Sequence, residues 1–260
     1  MKQKLLTRYR YQKMTLIFEI NMLIIGVDEA GRGPVIGPLV VCSVAIPDED
    51  IALLLDAGVK DSKDLSKKKR AVLRDWFLEN CQERGWKYSL ITCSTSRIDS
   101  AVYDKGLNIL ETELFAEALN GLGIDHLASV KIINDACDVN EERFTKRVSA
   151  LVKSWPWENS VMNSYHKADE NYPIVGMASI MAKQHRDYCV KEIEASFGSP
   201  IGSGYPSDPK TVDAVRRMIS DKPHEDLRWS WSTVSRIWGE LHSTDMPKRV
   251  VLDKNQTTLF

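Results

Sequence analysis

Several features are scarce in this 260-residue sequence, and each shortage removes a class of function. The five cysteines, Cys42, Cys81, Cys93, Cys137 and Cys189, are odd in number and scattered, without a C-x-x-C pair. Neither a disulfide framework nor a cysteine-held zinc site is expected, and reduced thiols in the cytoplasm fit that usage. Histidines are also few: His166, His185 and His224 are isolated and expected at the surface or in hydrogen bonds rather than in catalysis. No apolar run approaches the ~20 residues of a membrane span. Met14 to Ile20 comes nearest to a signal segment, but Glu19 interrupts it and no small-residue cleavage site follows. Charge of one sign is lacking too, since the net charge is −1. That balance leaves nucleic acid open as a partner, because a basic face can be offset by acids elsewhere.

What is present centres on Leu23-Ile24-Ile25-Gly26-Val27-Asp28-Glu29-Ala30-Gly31-Arg32-Gly33-Pro34. An apolar run of strand character ends in two adjacent acids, and a glycine-framed loop with one arginine follows. A second apolar run, Pro38 to Ile46, places the acids and Arg32 at the mouth of a hairpin-like turn. A dinucleotide cradle would need G-x-G-x-x-G opening directly into a helix. Here Gly31, Gly33 and Gly37 are spaced one residue too wide, a strand follows, and the Walker lysine is missing, so that reading fails.

Residues 1–21 are basic and aromatic and precede the first convincing strand. They are expected to be a flexible extension, or the product of an upstream start codon with Met22 as a candidate start. After the second strand comes a polar loop containing Ser62 and Lys63. Ser66 is an N-cap for a helix running to Arg84 and closed by Gly85. Its first turn, Lys67-Lys68-Lys69-Arg70, opposes the helix dipole by ~0.3–1 kcal/mol per charge; a solvated run is the expectation for any single lysine, and the four together shift the reading towards a phosphate-contacting patch. Trp86 to Cys93 reads as a third strand and Arg97 to Leu122 as one helical segment. A strand over 130–134, a helix over 141–153, a fifth strand over 160–165 and a helix over 176–197 follow. Asp208-Pro209 opens a helix to about Ser220, and a tryptophan-rich turn and a short helix to about His242 complete the order. Short connections favour antiparallel pairing for the first three strands, and helical crossovers make the last two parallel. The expected fold is therefore α/β, a mixed five-stranded sheet flanked by helices. Residues 22–220 form the main domain, 221–253 a C-terminal helical extension and 254–260 a tail.

Strand ends carry Asp28, Glu29, Asp135 and Asp169, or its neighbour Glu170. Hard oxygen ligands of this kind suit Mg²⁺ or Mn²⁺. Two such ions about 3.5–4 Å apart can serve an in-line phosphoryl displacement. Acids at strand ends are common, so spacing alone leaves this a hypothesis.

Specific motifs narrow it. Gly26 to Pro34, Asp61-Ser62-Lys63-Asp64-Leu65, Asn134-Asp135-Ala136-Cys137-Asp138-Val139 and His166-Lys167-Ala168-Asp169 resemble the signatures of type 2 ribonucleases H, as do Ala178 to Lys183 and Gly202 to Asp208. The resemblance is in family order, covers about Met22 to Trp231, and is nearest to archaeal members. It implies a ribonuclease H-like fold and a metal-binding and catalytic set of Asp28, Glu29, Asp135 and Asp169. It also implies that Gly31, Arg32 and Gly33 contact the phosphate and 2′-hydroxyl of the ribonucleotide at the cut. Tyr205 would stack on the following sugar, and Ser62, Lys63 and Lys183 would contact phosphate. The implied activity is hydrolysis of the RNA strand of RNA–DNA hybrids and cleavage 5′ to ribonucleotides embedded in DNA, leaving 3′-hydroxyl and 5′-phosphate ends. Asp64 departs from the pattern, standing where lysine is common.

The tail, Gln256-Thr257-Thr258-Leu259-Phe260, resembles the start of the sliding-clamp (PCNA) binding motif but lacks its final aromatic pair. A frayed tail is the alternative. Rival functions are another two-metal nuclease of the same general fold, such as a type 1 ribonuclease H, and a catalytically silent hybrid-binding module. The first would lack the Gly-Arg-Gly and Gly-Tyr-Pro loops, and the second would be expected to have lost acids. Arg228, beside Trp229 and Trp231, is a candidate DNA contact, whereas the two tryptophans are expected to pack.

Overall fold

The computed structural model describes residues 22–59 and 65–249. Strand β1 (Leu23–Ala30) lies at the centre of the sheet. It pairs antiparallel with β2 (Leu39–Pro47), Leu23 opposite Pro47 and Ala30 opposite Val40. After β2 come the short helix α1 (Ile51–Asp56) and the long helix α2 (Lys67–Arg84). Strand β3 (Lys87–Cys93) then pairs antiparallel with β2 on its outer side. Helices α3 (Thr95–Asp104) and α4 (Leu107–Gly121) lead to β4 (Val130–Asp135), which runs parallel to β1. Helix α5 (Glu141–Ser149) connects to β5 (Val161–Tyr165), parallel to β4. The order is β3-β2-β1-β4-β5, with the antiparallel and parallel halves as expected. The connections decide this split, because a tight turn returns the chain antiparallel while a parallel neighbour needs a helical crossover.

The described elements after β5 are all helices: α6 (Ala168–Asn171), α7 (Pro173–Phe197), α8 (Pro209–Arg217) and α9 (Ser232–Leu241). Strand alternation sorts the core into two layers. Ile25, Val27, Leu39 and Val41 pack with Leu114 and Phe115 of α4 and Phe144 of α5. Ile24, Val40, Val44 and Ile46 pack on the other face with Phe77 of α2 and the buried first half of α7. There α7 lies so close to β1 that a Cβ on Gly26 would sit 2.5 Å from the Ile174 backbone, which is why that strand carries a glycine.

Four element boundaries differ from the sequence reading. The segment expected as one helix from Arg97 to Leu122 is two, α3 and α4, broken at Gly106, whose φ of +88° suits only glycine well. Helix α7 begins at Pro173 rather than Gly176, with proline in the first turn, where its missing N–H costs nothing. Helices α5 and α8 end earlier than expected, at Ser149 and Arg217.

A third apolar cluster joins Val35 and Ile36 of the β1–β2 loop to Ile201, Val215, Leu227, Trp229 and Trp238. The loop is also tied by backbone bonds from Val35 N to Gly204 O (2.8 Å), Gly37 N to Asp226 O (2.9 Å) and Arg228 N to Val35 O (2.9 Å). The glycine loop is thus gripped from the far end of the chain. Among the described residues, no helix is long and apolar enough to cross a membrane.

Candidate active site

Because β1 and β4 run parallel in register, Val27 opposite Asn134, their carboxyl ends deliver Asp28, Glu29 and Asp135 to the same edge. One oxygen from each of these three acids lies within 4.8 Å of the others. Ligand sites in open α/β sheets form outside such strand ends. Alternation sends the adjacent acids different ways. Asp28, 3% exposed, turns into the α7 layer and hydrogen-bonds Ser179. Glu29 faces α4, and its Oε2 accepts the Cys137 thiol at 3.2 Å. Asp135 is oriented by the Ala168 N–H, which donates to its Oδ1 at 2.7 Å. Asp169, at the start of α6, is buried and lines the same cleft, although outside the tight group of three. Glu170 is exposed and pairs with Lys167 at 3.2 Å, and of the two only Asp169 lines the cleft.

Burial and mutual repulsion make Asp28 and Glu29 reluctant to ionise. Burial, then the charge of Glu29, hold Asp28 well above the usual carboxylate range. Glu29 is pushed up to about 7 by burial, then by Glu111 and Asp135. Glu111, on α4, also rises to about 7, through burial that Arg32 and Arg228 only partly oppose. With folded values near 7 and unfolded values near 4.5, the native state keeps protons that the unfolded chain has released. Stability from this source is therefore present at low pH and falls as pH rises through that window. In chelator, Tm should drop between about pH 5 and about pH 8, and added Mn²⁺ should raise it more at the upper pH, where ionised ligands are favoured. Thermal melts at both pH values, with and without the ion, test this; equal Mn²⁺ shifts would contradict it.

The cleft above the acids has a volume of about 420 Å³, and its walls include Gly31, Arg32, Gly33, Arg70, Lys183, Arg186 and Tyr205. Arg32 is held in place rather than left to wave: Nη1 donates to Cys137 O at 2.8 Å, Nη2 to Asn108 Oδ1 at 2.7 Å, and Nε lies 3.2 Å from Glu111 Oε1. Gly31 sits at φ +95°, and a Cβ there would meet the Arg186 side chain at 2.6 Å. Arg186 itself is 5% exposed, wedged between the two glycine loops with its guanidinium 5.4 Å from the Tyr205 ring centre. Its Nε and Nη2 have no hydrogen-bond partner among the described residues. Lys183, one turn earlier on α7, reaches the same cleft.

Arg228 corrects an expectation. It is fully buried and cannot touch DNA from there. Its guanidinium instead donates to the carbonyls of Gly37 (3.0 Å), Arg32 (2.9 Å) and Gly31 (2.6 Å), bracing the glycine loop from below. Trp229 is buried, as expected, while Trp231 Nε1 donates to Gly33 O at 3.2 Å. The three histidines singled out are hydrogen-bonded: His166 Nε2 meets Asp138 O at 2.8 Å, His185 Nε2 meets Thr92 Oγ1 at 2.9 Å, and His224 Nδ1 accepts the Asp226 N–H at 3.2 Å. In the basic first turn of α2, Lys69 Nζ donates to Ala57 O at 3.2 Å, and Arg70 is the member that reaches the cleft. Ser62, Lys63, Gln256, Leu259 and Phe260 lie outside the described residues. Sequence reading missed Glu111, Arg186 and the bracing role of Arg228. Only the position of Arg186, one turn beyond Lys183 on α7, hinted at one of them.

The mixed five-stranded sheet in this order, flanked by helices, is a ribonuclease H-type fold, and the acids cluster at its parallel strand ends. The family model for ribonuclease HII matches residues 25–234, and the chain belongs to that family, a family of ribonuclease H enzymes. It is 39% identical over 224 residues to the ribonuclease HII of Methanococcus maripaludis, an alignment covering 85% of this chain and 90% of that protein. The ribonuclease H2 of Pyrococcus horikoshii superposes with a TM-score of 0.73 at 35% identity, over 84% of this chain and 98% of that one. The ribonuclease HII in the PCNA complex from Archaeoglobus fulgidus superposes with a TM-score of 0.68 at 34% identity, over 82% and 96% of the two chains.

Proposed function

We propose that this chain is an endonuclease that hydrolyses the RNA strand of RNA–DNA hybrids and cuts 5′ to ribonucleotides embedded in duplex DNA, giving 3′-hydroxyl and 5′-phosphate ends. The carrying observation is the convergence, in one cleft, of Asp28, Glu29, Asp135 and Asp169 with Gly31-Arg32-Gly33 and Tyr205. The donor set fits a hard divalent ion: the tight group offers only oxygen, at mutual distances a cation can bridge, and its buried acids would ionise readily only beside positive charge. Asp28, Glu29, Asp135 and Asp169 would hold Mg²⁺ or Mn²⁺. When bound, two such ions supply an activated water and stabilise the leaving oxygen of an in-line displacement.

The chain's own residues do the rest. Gly31 and Gly33 carry no side chain, so the loop backbone can approach a ribose, and a 2′-hydroxyl exists only on RNA. Arg32, anchored by Asn108 and Cys137, presents its charge at a set position for the adjoining phosphate. Tyr205, backed by Arg186, offers a flat face to the next sugar. Lys183 and Arg70 add positive charge along the backbone path, as Ser62 and Lys63 are assigned to do. The catalytic domain is assigned to residues 22–220 and the C-terminal helical extension to 221–253, from which Arg228 braces the loop. The enzyme acts as a cytoplasmic monomer in ribonucleotide removal and RNA primer removal during replication and repair.

The test is a duplex containing one ribonucleotide, beside an all-RNA hybrid, with Mg²⁺ and Mn²⁺ in turn. Cleavage on the 5′ side of the lone ribonucleotide is the expected product; cutting of the hybrid alone would refute the embedded-ribonucleotide activity. The tail is assigned to the sliding clamp through Gln256, Leu259 and Phe260, a reading supported by the Archaeoglobus relative solved with PCNA. Removing residues 256–260 should abolish clamp retention in a pull-down while leaving hybrid cleavage intact, and unchanged retention would refute the assignment.

A further inference from the structure

Beside the oxygen-only set lies a second trio with different chemistry. One ligand atom each from Glu29, Glu111 and Cys137 lies within 4.8 Å of the other two. The Cys137 thiol already donates to Glu29 Oε2 at 3.2 Å. Glu111 is wholly buried; its Oε1 faces Arg32 Nε at 3.2 Å, and its Oε2 has no hydrogen-bond partner among the described residues. A buried carboxylate oxygen left unsatisfied is costly, and a cation is one of the few things that could satisfy it here.

We propose that Cys137, Glu29 and Glu111 form a soft-metal site that takes Zn²⁺ or Cd²⁺ and, by drawing Glu29 away from Asp28 and Asp135, inhibits the enzyme. Thiolate selects the softer divalent ions, whereas Mg²⁺ and Mn²⁺ prefer the all-oxygen set. Binding is a simple exchange without redox change: the S–H bond of Cys137 breaks, its proton passes to solvent, and a sulfur–metal bond forms. Glu29 belongs to both sets, so an ion at one competes for a ligand of the other. Such an ion would also take Glu111 from Arg32, loosening the loop residue assigned to the ribonucleotide.

The inhibitory consequence rests on the proposed metal-dependent cleavage; the binding does not. Metal-free protein is titrated with Cd²⁺ while the ultraviolet thiolate-to-cadmium band is followed, and with Zn²⁺ by calorimetry. The same is done for the near-isosteric variants Cys137→Ser and Glu111→Gln. The wild type should show a one-equivalent cadmium band that is lost in C137S, and Zn²⁺ affinity should fall at least roughly tenfold in both variants. A band of equal size in C137S would assign it to another thiol and overturn the site, as would unchanged Zn²⁺ affinity in both variants. In Mn²⁺-supported hybrid cleavage, Zn²⁺ should slow the wild type more than C137S, and equal slowing would remove the inhibitory role. Failure to cleave with any ion would instead count against the proposed function, while a missing Cys137-dependent band in an active enzyme would sink this site alone.

Discussion

Asp28→Asn is expected to cut hybrid cleavage by at least roughly a thousandfold, about 4 kcal/mol of transition-state stabilisation, while hybrid binding largely survives. The amide keeps the shape of the carboxylate and can still hydrogen-bond Ser179 on α7, so the strand end should not rearrange. What it loses is the negative charge next to Glu29 and Asp135 that a divalent ion would need. The same charge is a burden to the metal-free fold, since Asp28 is buried and repelled by Glu29 and Asp169. The variant should therefore lose activity and gain stability in chelator, a trade expected where a site is built against the fold's own preference. Single-turnover rates, hybrid affinity and a melt in chelator check the three parts. Activity within tenfold of wild type would remove Asp28 from the assigned metal ligands.

Arg228→Leu should destabilise the fold by about 3–5 kcal/mol, because three loop carbonyls lose a charged donor and cannot all reach water. For a domain of this size that corresponds to a fall in Tm on the order of 10 °C. Burial, with the nearby charge of Arg186, lowers the guanidinium to about 9, so it remains protonated at neutral pH and its bonds stay charge-assisted. The three acceptors, Gly31, Arg32 and Gly37, belong to the loop assigned to ribose reading. Discrimination between an embedded ribonucleotide and a deoxyribonucleotide should therefore weaken below the new Tm, where the protein is still folded. Arg228→Lys keeps the charge but not the three-way fork, and should fall between leucine and wild type on both readouts. Wild-type Tm and wild-type discrimination in the leucine variant would show that the loop holds itself.

Much of the frame was legible because its signals are local. Ser66 caps α2 as read, its Oγ accepting the Lys69 N–H at 3.2 Å, and Gly85 closes that helix at φ +71°. The apolar runs gave the strands, and the lengths of their connections gave the parallel and antiparallel halves. Gly106 was the local signal left unread: inside a helical period a glycine is tolerated, and only its positive φ turns tolerance into a break. Asp28, Glu29 and Asp135 were readable as acids at strand ends, and parallel pairing alone suffices to bring two such ends together.

Other features depended on which surfaces the fold presses together. Sequence named Asp169 with Glu170 as a weaker alternative, and only packing shows that Asp169 is the buried one of the two. Glu111 reads along α4 like any helical glutamate until the sheet carries Glu29 and Arg32 to it. Arg228 reads as a surface cation beside tryptophans, yet it serves a loop 197 residues earlier in the chain. The sequence by itself determined the elements, their order and the acids, because dihedral preference and hydrophobic period act over a few neighbouring residues. The tertiary structure alone decided which charges are buried and what they face, because desolvation and repulsion depend on distances that only packing sets.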